Sequence, residues 1–193
     1  MKNIAIFASG SGSNAEKIME YFENSKEVKV VLVLSDNPNA GVLLRANKFE
    51  IETKIISRLE LKSPKKALIE LKTKSINFIV LAGFLRKIPR EMIQEFPNQI
   101  INIHPALLPK HGGMGMYGLN VHRAVKDSGD VISGPTIHLV NEEYDKGQIL
   151  FQKEIKIEPE DNAKQIAEKV LSVEHEEYPR VIENYMIEYY KRA

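Results

Sequence analysis

Four apolar runs separated by helix-patterned stretches set the frame of this chain. They are NIAIFA (3–8), VKVVLVLS (28–35), NFIVLAG (77–83) and QIINIH (99–104). The first is almost continuously apolar, as a strand covered on both faces would be, and the other three read as further strands of the same sheet. Between the first two, SNAEKIMEYFEN (13–24) places Ile18, Tyr21 and Phe22 at helical spacing. GVLLRANKF (41–49) reads as a short helix and KIIS (54–57) as a short strand. PKKALIELKTK (64–74) opens on a proline suited to a helix start, and PREMIQEF (89–96) is a further short helix. This alternation predicts an α/β architecture: a mostly parallel twisted sheet with helices on both faces.

After residue 104 the pattern changes. SGPTIHLVN (133–141) and QILFQKEIKI (148–157) read as two strands joined across EEYDKG, added antiparallel to the sheet. The tail, 162–192, has a helical pattern with a break expected near Pro179. No repeat, low-complexity tract or linker interrupts the 193 residues, which predicts a single domain over 1–193. A net charge of +1 gives no basic field for nucleic acid. The absence of cysteine excludes disulfides, thiolate metal sites and cysteine nucleophiles. The apolar run at the N-terminus is too short for a signal sequence or a membrane span, and no later run reaches membrane length. A soluble, cytoplasmic protein that acts on small molecules is expected, without a membrane or nucleic-acid partner, as a monomer or homodimer.

In an open parallel sheet, ligands bind beyond the C-terminal strand ends. ASGSGSNA, AGFLRK and HPALLPK all fall at such ends. In the first, Gly10 and Gly12 allow a tight turn and Ser13 or Asn14 can cap the next helix, whose N-terminus favours a phosphate. The spacing Gly10-x-Gly12-x-x-Ala15 also fits a dinucleotide fingerprint, with Asp36 where a ribose-binding acid would stand. A capped glycine-rich connection with no ligand is the plainer alternative. Asn102 and His104 are two apart on a strand and so share one face. A carboxamide and an imidazole there can donate to a developing oxyanion, and the imidazole can move a proton near neutral pH. Alone, either is as easily a structural residue bonded to the loop. Asp145, in the turn NEEYDKG, can orient the imidazole and accept a proton through water, or be an ordinary turn aspartate. His138, flanked by Ile137 and Leu139, points either to solvent or to the site.

As a set, SGSGSN, VLAGFLR, NIHPALLPK, SGPTIHLV, YDKGQIL and EHEEYP, in that order, resemble the phosphoribosylglycinamide formyltransferase family from Met1 to about Tyr190. The combination NIHPALLP followed by D-x-G-x-I-L is the specific part. The resemblance implies a Rossmann-like formyltransferase fold. It also implies transfer of a formyl group from 10-formyltetrahydrofolate, a co-substrate, to the amine of glycinamide ribonucleotide through a tetrahedral intermediate, with no metal. By the same resemblance Asn102, His104 and Asp145 are the catalytic trio. Gly10, Ser11, Gly12, Ser13, Asn14 and Glu174 hold the ribonucleotide. Leu85, Arg86, Lys87 and Ile88, with Asn102 and the turn Asn141, Glu142, Glu143, Tyr144 and Asp145, line the folate site.

Three features depart from the family pattern. The family's arginine after the third strand has no clear counterpart; Arg58, Lys62 and Lys65 are the basic residues nearby. KHGGMGMYGLNVHRAV (110–125) is longer than usual, and its glycines at 112, 113, 115 and 118 with Met114, Met116 and Tyr117 suggest either a lid or a plain surface insertion. Lys146 stands where a second glycine is common. The competing reading within the wider superfamily is a sugar-nucleotide formyltransferase. Outside it, the competing reading is a dinucleotide-binding module, which would leave Asn102, His104 and Asp145 without a role.

Overall fold

The computed structural model describes residues 1–192. Seven strands form a mixed, mostly parallel sheet in the order β3-β2-β1-β4-β5-β7-β8, and a two-stranded sheet pairs β6 with β9. The backbone divides into two compact units, Met1–Ile101 and the segment from Asn102 onward, with β5 (Ile100–His104) carrying the boundary.

The first unit holds β1 (Lys2–Phe7), α1 (Ser13–Phe22), β2 (Val28–Ser35), α2 (Gly41–Lys48), β3 (Glu52–Ile55), α3 (Arg58–Lys62), α4 (Lys65–Thr73), β4 (Ile76–Leu81) and α5 (Arg90–Glu95). β1 pairs in parallel with β2 and β4, and β2 with β3. Ile4, Ala5, Ile6 and Phe7 are wholly buried, so β1 is covered on both faces, as its unbroken apolar run requires. α1 buries Ala15, Ile18, Met19 and Phe22, one stripe at helical spacing. Tyr21, expected on that stripe, is exposed instead, and Met19 takes the inward position. Pro64 sits at the N-cap of α4, just outside it. α3 has no apolar periodicity to announce it. Its signal is a capping box: Ser57 Oγ accepts from the Glu60 N–H (3.2 Å) while Glu60 accepts from the Ser57 N–H (2.8 Å). Those bonds to Ser57 hold the Glu60 carboxyl below its usual range.

The second unit holds the rest of β5, then α6 (Leu119–Asp127), β6 (Ile132–Ser133), β7 (Thr136–Leu139), β8 (Ile149–Gln152), β9 (Ile155–Lys156) and α7 (Ala163–Arg192). β7 and β8 pair antiparallel, as expected. The two long strands expected here are each broken in two, because β6 and β9 leave the main sheet and pair with each other. The break comes at Gly134, with φ +145, where a Cβ would lie 1.8 Å from the Lys153 carbonyl oxygen. Only glycine lets the two backbones cross so closely. α7 runs through Pro179 without the expected break. A mid-helix proline removes its own N–H from the ladder and crowds the carbonyl four residues back, but Tyr178, Pro179 and Ile182 are all buried, so packing holds the turn closed. α6 and α7 meet over Val125, Ile157, Ile166 and Val170.

Candidate active site

Asn102 and His104 reach one face of β5 because they stand two apart, and Thr136 and His138 share a face of β7 for the same reason. The turn after β5 is tied to β7 and β8 through Thr136. Its Oγ1 donates to the Ala106 carbonyl (2.6 Å) and accepts from the Leu108 N–H (3.0 Å) and from Gln152 Nε2 (2.8 Å). Gln152 Nε2 also donates to the Leu108 carbonyl (2.9 Å). Thr136 and Gln152 were not singled out from sequence. The available signal was a polar residue two before His138 in an otherwise apolar strand.

Asp145 arrives from the β7–β8 turn. It has φ +55, in the left-handed region that aspartate tolerates better than most residues. Gly147 closes the turn against β7, where a Cβ would stand 1.7 Å from the Leu139 carbonyl oxygen. The absent second glycine at Lys146 is no obstacle, since the close approach falls on Gly147. Asn141 shapes the same turn, accepting from the Glu143 N–H (2.9 Å) and donating to the Lys146 carbonyl (3.1 Å).

These elements bring four side chains together. The His104 ring is buried, and its Nε2 lies 2.8 Å from the His111 carbonyl, which can only accept. Nε2 therefore carries a proton, and Nδ1 faces Asp145 Oδ2 at 3.7 Å. His138 resolves to the inward orientation. Its Nδ1 donates to the Leu139 carbonyl (2.8 Å), so in the neutral ring Nε2 accepts from Asn102 Nδ2 at 3.1 Å. The same Nε2 is 3.6 Å from Asp145 Oδ1. Asp145 Oδ2 also accepts from the Gly113 N–H (2.8 Å).

The charges follow from these neighbours. Burial is the largest single influence on Asp145 and opposes ionisation, but His138, the Gly113 N–H and the charge of His104 together hold its carboxyl below the usual range. Burial pushes the His104 imidazole down, against a smaller upward pull from Asp145 and the His111 carbonyl. Once protonated, that ring keeps the His111 carbonyl on Nε2–H and has the Asp145 carboxylate 3.7 Å from Nδ1, beyond hydrogen-bond length but close enough to balance its charge. His122, buried on α6, is held to about 4 by burial and then by the charge of His104, and its Nδ1 has no hydrogen-bond partner. Such a cluster can donate to an oxyanion through Asn102, which keeps a second Nδ2 hydrogen, and can move a proton between a carboxylate and an imidazole. Among the described residues no group of three or more side chains is arranged to hold a metal ion.

The remaining predicted residues are placed as follows. In the first unit Gly12 has φ +79 and precedes α1, and a Cβ there would strike Val42 at 2.5 Å. Neither Ser13 nor Asn14 caps that helix, because both already lie within it. Gly10 and Ser11 are exposed, with the Ser11 carbonyl accepting from Arg45 Nε (2.9 Å). The segment 85–88 lies beside this loop: the Leu85 N–H donates to Ser9 Oγ (2.9 Å). Leu85 and Lys87 are exposed and Ile88 is buried. Arg86 Nε donates to Asp36 Oδ2 at 2.6 Å, and the Asp36 side chain is only 4% exposed. The acid that a dinucleotide ribose would need is thus sealed by an internal ion pair. Glu174 is buried in α7, and burial followed by its charge pushes the Tyr178 phenol well up. Met114 and Tyr117 lie exposed on the 110–118 loop, with positive φ at Gly113, Gly115 and Gly118.

The sequence profile of a formyl transferase family matches residues 2–182. Phosphoribosylglycinamide formyltransferase of Bacillus subtilis is 35% identical over 187 residues, covering 94% of this chain and 93% of that protein. The chloroplastic enzymes of the same name from Arabidopsis thaliana and Vigna unguiculata are 41% and 38% identical, again over 94% of this chain. This chain spans only 64% and 60% of the length of those two plant relatives. Among solved structures, glycinamide ribonucleotide transformylase 1 of Geobacillus kaustophilus superposes with a TM-score of 0.86 at 32% identity, covering 94% of this chain and 97% of that one. Phosphoribosylglycinamide formyltransferase of Bacillus halodurans gives 0.85 at 33% identity, with 94% and 93% covered.

Proposed function

The chain belongs to the formyl transferase family, and from that premise we propose that it formylates the amine of glycinamide ribonucleotide in purine biosynthesis, in the cytoplasm. The co-substrate, 10-formyltetrahydrofolate, supplies the formyl group. The observation that carries the reading is the meeting of Asn102, His104, His138 and Asp145 around one point of the second unit, with Asp145 held as a carboxylate. The set suits such a substrate because it offers a neutral donor, a titratable ring and a fixed anion.

In this reading the ribonucleotide amine attacks the formyl carbon, the new C–N bond forms, and the folate nitrogen departs with a proton. Asn102 donates to the oxyanion of the tetrahedral intermediate through its free Nδ2 hydrogen. When protonated, His104 places positive charge near that oxygen and stabilises it, balanced by Asp145. Asp145 accepts the proton shed by the amine, through water, and returns it towards the leaving nitrogen. Gly10, Ser11, Gly12, Ser13, Asn14 and Glu174 take the ribonucleotide. Leu85, Arg86, Lys87 and Ile88, with Asn102 and the Asn141–Asp145 turn, take the folate. The loop 111–120 serves as a lid. Holding two substrates in register supplies much of the acceleration.

The direct test is absorbance at the folate chromophore with purified protein, with and without glycinamide ribonucleotide. Deformylation that depends on the ribonucleotide is expected. Turnover without it would mean hydrolysis, and none in either case would reject the assignment.

A further inference from the structure

His104 is set by a backbone carbonyl, and that carbonyl belongs to an unusual residue. His111 holds φ +56, a left-handed conformation uncommon for any residue but glycine, though histidine enters it more readily than most. Something must hold it there, since the Gly112–Gly113 pair that follows offers little rigidity. The ring of His111 is the anchor. Its Nε2 donates to Asp130 Oδ2 at 2.7 Å, and Ser128 Oγ stands 3.5 Å from the same nitrogen. Lys110 pairs with the other oxygen of Asp130. Hydrogen bonds from Lys110 first and His111 second hold the Asp130 carboxyl at about 2, so the anchoring carboxylate stays ionised near neutral pH. The backbone oxygen of His111 then takes the Nε2–H of His104.

We propose that Asp130 and His111 are positioning residues for His104: Asp130 grips the His111 ring, the His111 carbonyl claims Nε2–H, and Nδ1 of His104 is thereby the nitrogen presented to Asp145. Without the carbonyl, the neutral ring would turn its proton to the carboxylate, placing it on Nδ1 and leaving Nε2 bare. The pair so selects a tautomer, a role assigned to third members of catalytic sets elsewhere. The kinetic part of this inference rests on the formyltransferase reading. The tautomer part does not. The charged and titratable groups around His104 are Asp145, His138, His111 and His122.

The test uses the full chain labelled with 15N-histidine and long-range 15N–1H spectra at pH 8, with the His104 signals identified by their loss in His104→Gln. The wild-type ring is expected as the Nε2–H tautomer. In Asp130→Ala it is expected to populate the Nδ1–H form, with the titration moving to lower pH as the carbonyl's upward pull is lost. Turnover should fall roughly tenfold to a hundredfold with KM for the ribonucleotide unchanged. If Asp130→Ala does not fold, His111→Phe keeps the ring's bulk, removes its contacts with Asp130 and Ser128, and gives the same readout. An Nδ1–H tautomer in the wild type, or an unchanged tautomer and titration in the folded variant, overturns the proposal. Wild-type protein with the expected tautomer and no ribonucleotide-dependent turnover would reject the functional reading and leave the positioning pair standing.

Discussion

At the scale of single residues, the site is a matter of which hydrogen belongs to whom. Asn102 spends one Nδ2 hydrogen on His138 and keeps another. Asn102→Ala is expected to lower kcat by about a hundred- to a thousandfold with little change in KM, measured at saturating folate. Asp145→Asn separates charge from shape, because asparagine accepts the φ of +55 as readily as aspartate. That variant should keep its unfolding midpoint while losing turnover, and its His104 should titrate at lower pH, having lost the largest upward pull on its charge. An unchanged titration would mean that the carboxylate is electrically remote from the ring. That Asn102 and His104 share a face was legible in the sequence because polar side chains on an apolar strand stand out; Asp145 was singled out by the family resemblance, since an aspartate before a turn glycine is common. The inward His138 was not, because a flanking apolar pair is compatible with either orientation; the Leu139 carbonyl decides it.

At the scale of elements, the sequence announced what periodicity can carry and missed what backbone approach decides. The parallel strands were visible as apolar runs, since burial on both faces leaves no room for polar residues. The division of 133–141 and 148–157 into four short strands was not, because it depends on Gly134 meeting the Lys153 carbonyl across 19 residues of chain. α3 was missed because five residues are too few for a period, although its Ser57 and Glu60 form a readable box. Thr136 is the element-scale joint, binding the turn after β5 to β7 and β8. Thr136→Val keeps the shape and strands the Ala106 carbonyl and Leu108 N–H together, at a cost of roughly 2 kcal/mol. Urea unfolding should show that loss, and the Asn102–His138 contact should loosen with it, seen as a lower kcat. Full activity with full stability would show that the three bonds of Thr136 are replaceable.

At the scale of the whole molecule, stability should depend on pH through a histidine that takes no part in the chemistry. His122 stays neutral in the fold down to about 4, whereas an unfolded imidazole takes its proton near 6.5. Between those values the unfolded chain binds more protons, so stability is full above about pH 6.5 and is lost as pH falls towards 4. His122→Leu removes both that liability and an unpartnered buried nitrogen, and should flatten the pH dependence of the unfolding midpoint in this window. An equally steep dependence in the variant would place the effect on other groups. No described helix is long and apolar enough to cross a membrane. The ion pair of Arg86 with the sealed Asp36 has a wider consequence. A glycine turn opening a helix is also what redox coenzymes seek. Their adenosine sugar needs an acid to grasp its two hydroxyls, and here one oxygen of that acid is bonded to Arg86 and the other is buried. The chain is spared a decoy: to compete, such a coenzyme would first have to pry apart the Arg86–Asp36 pair.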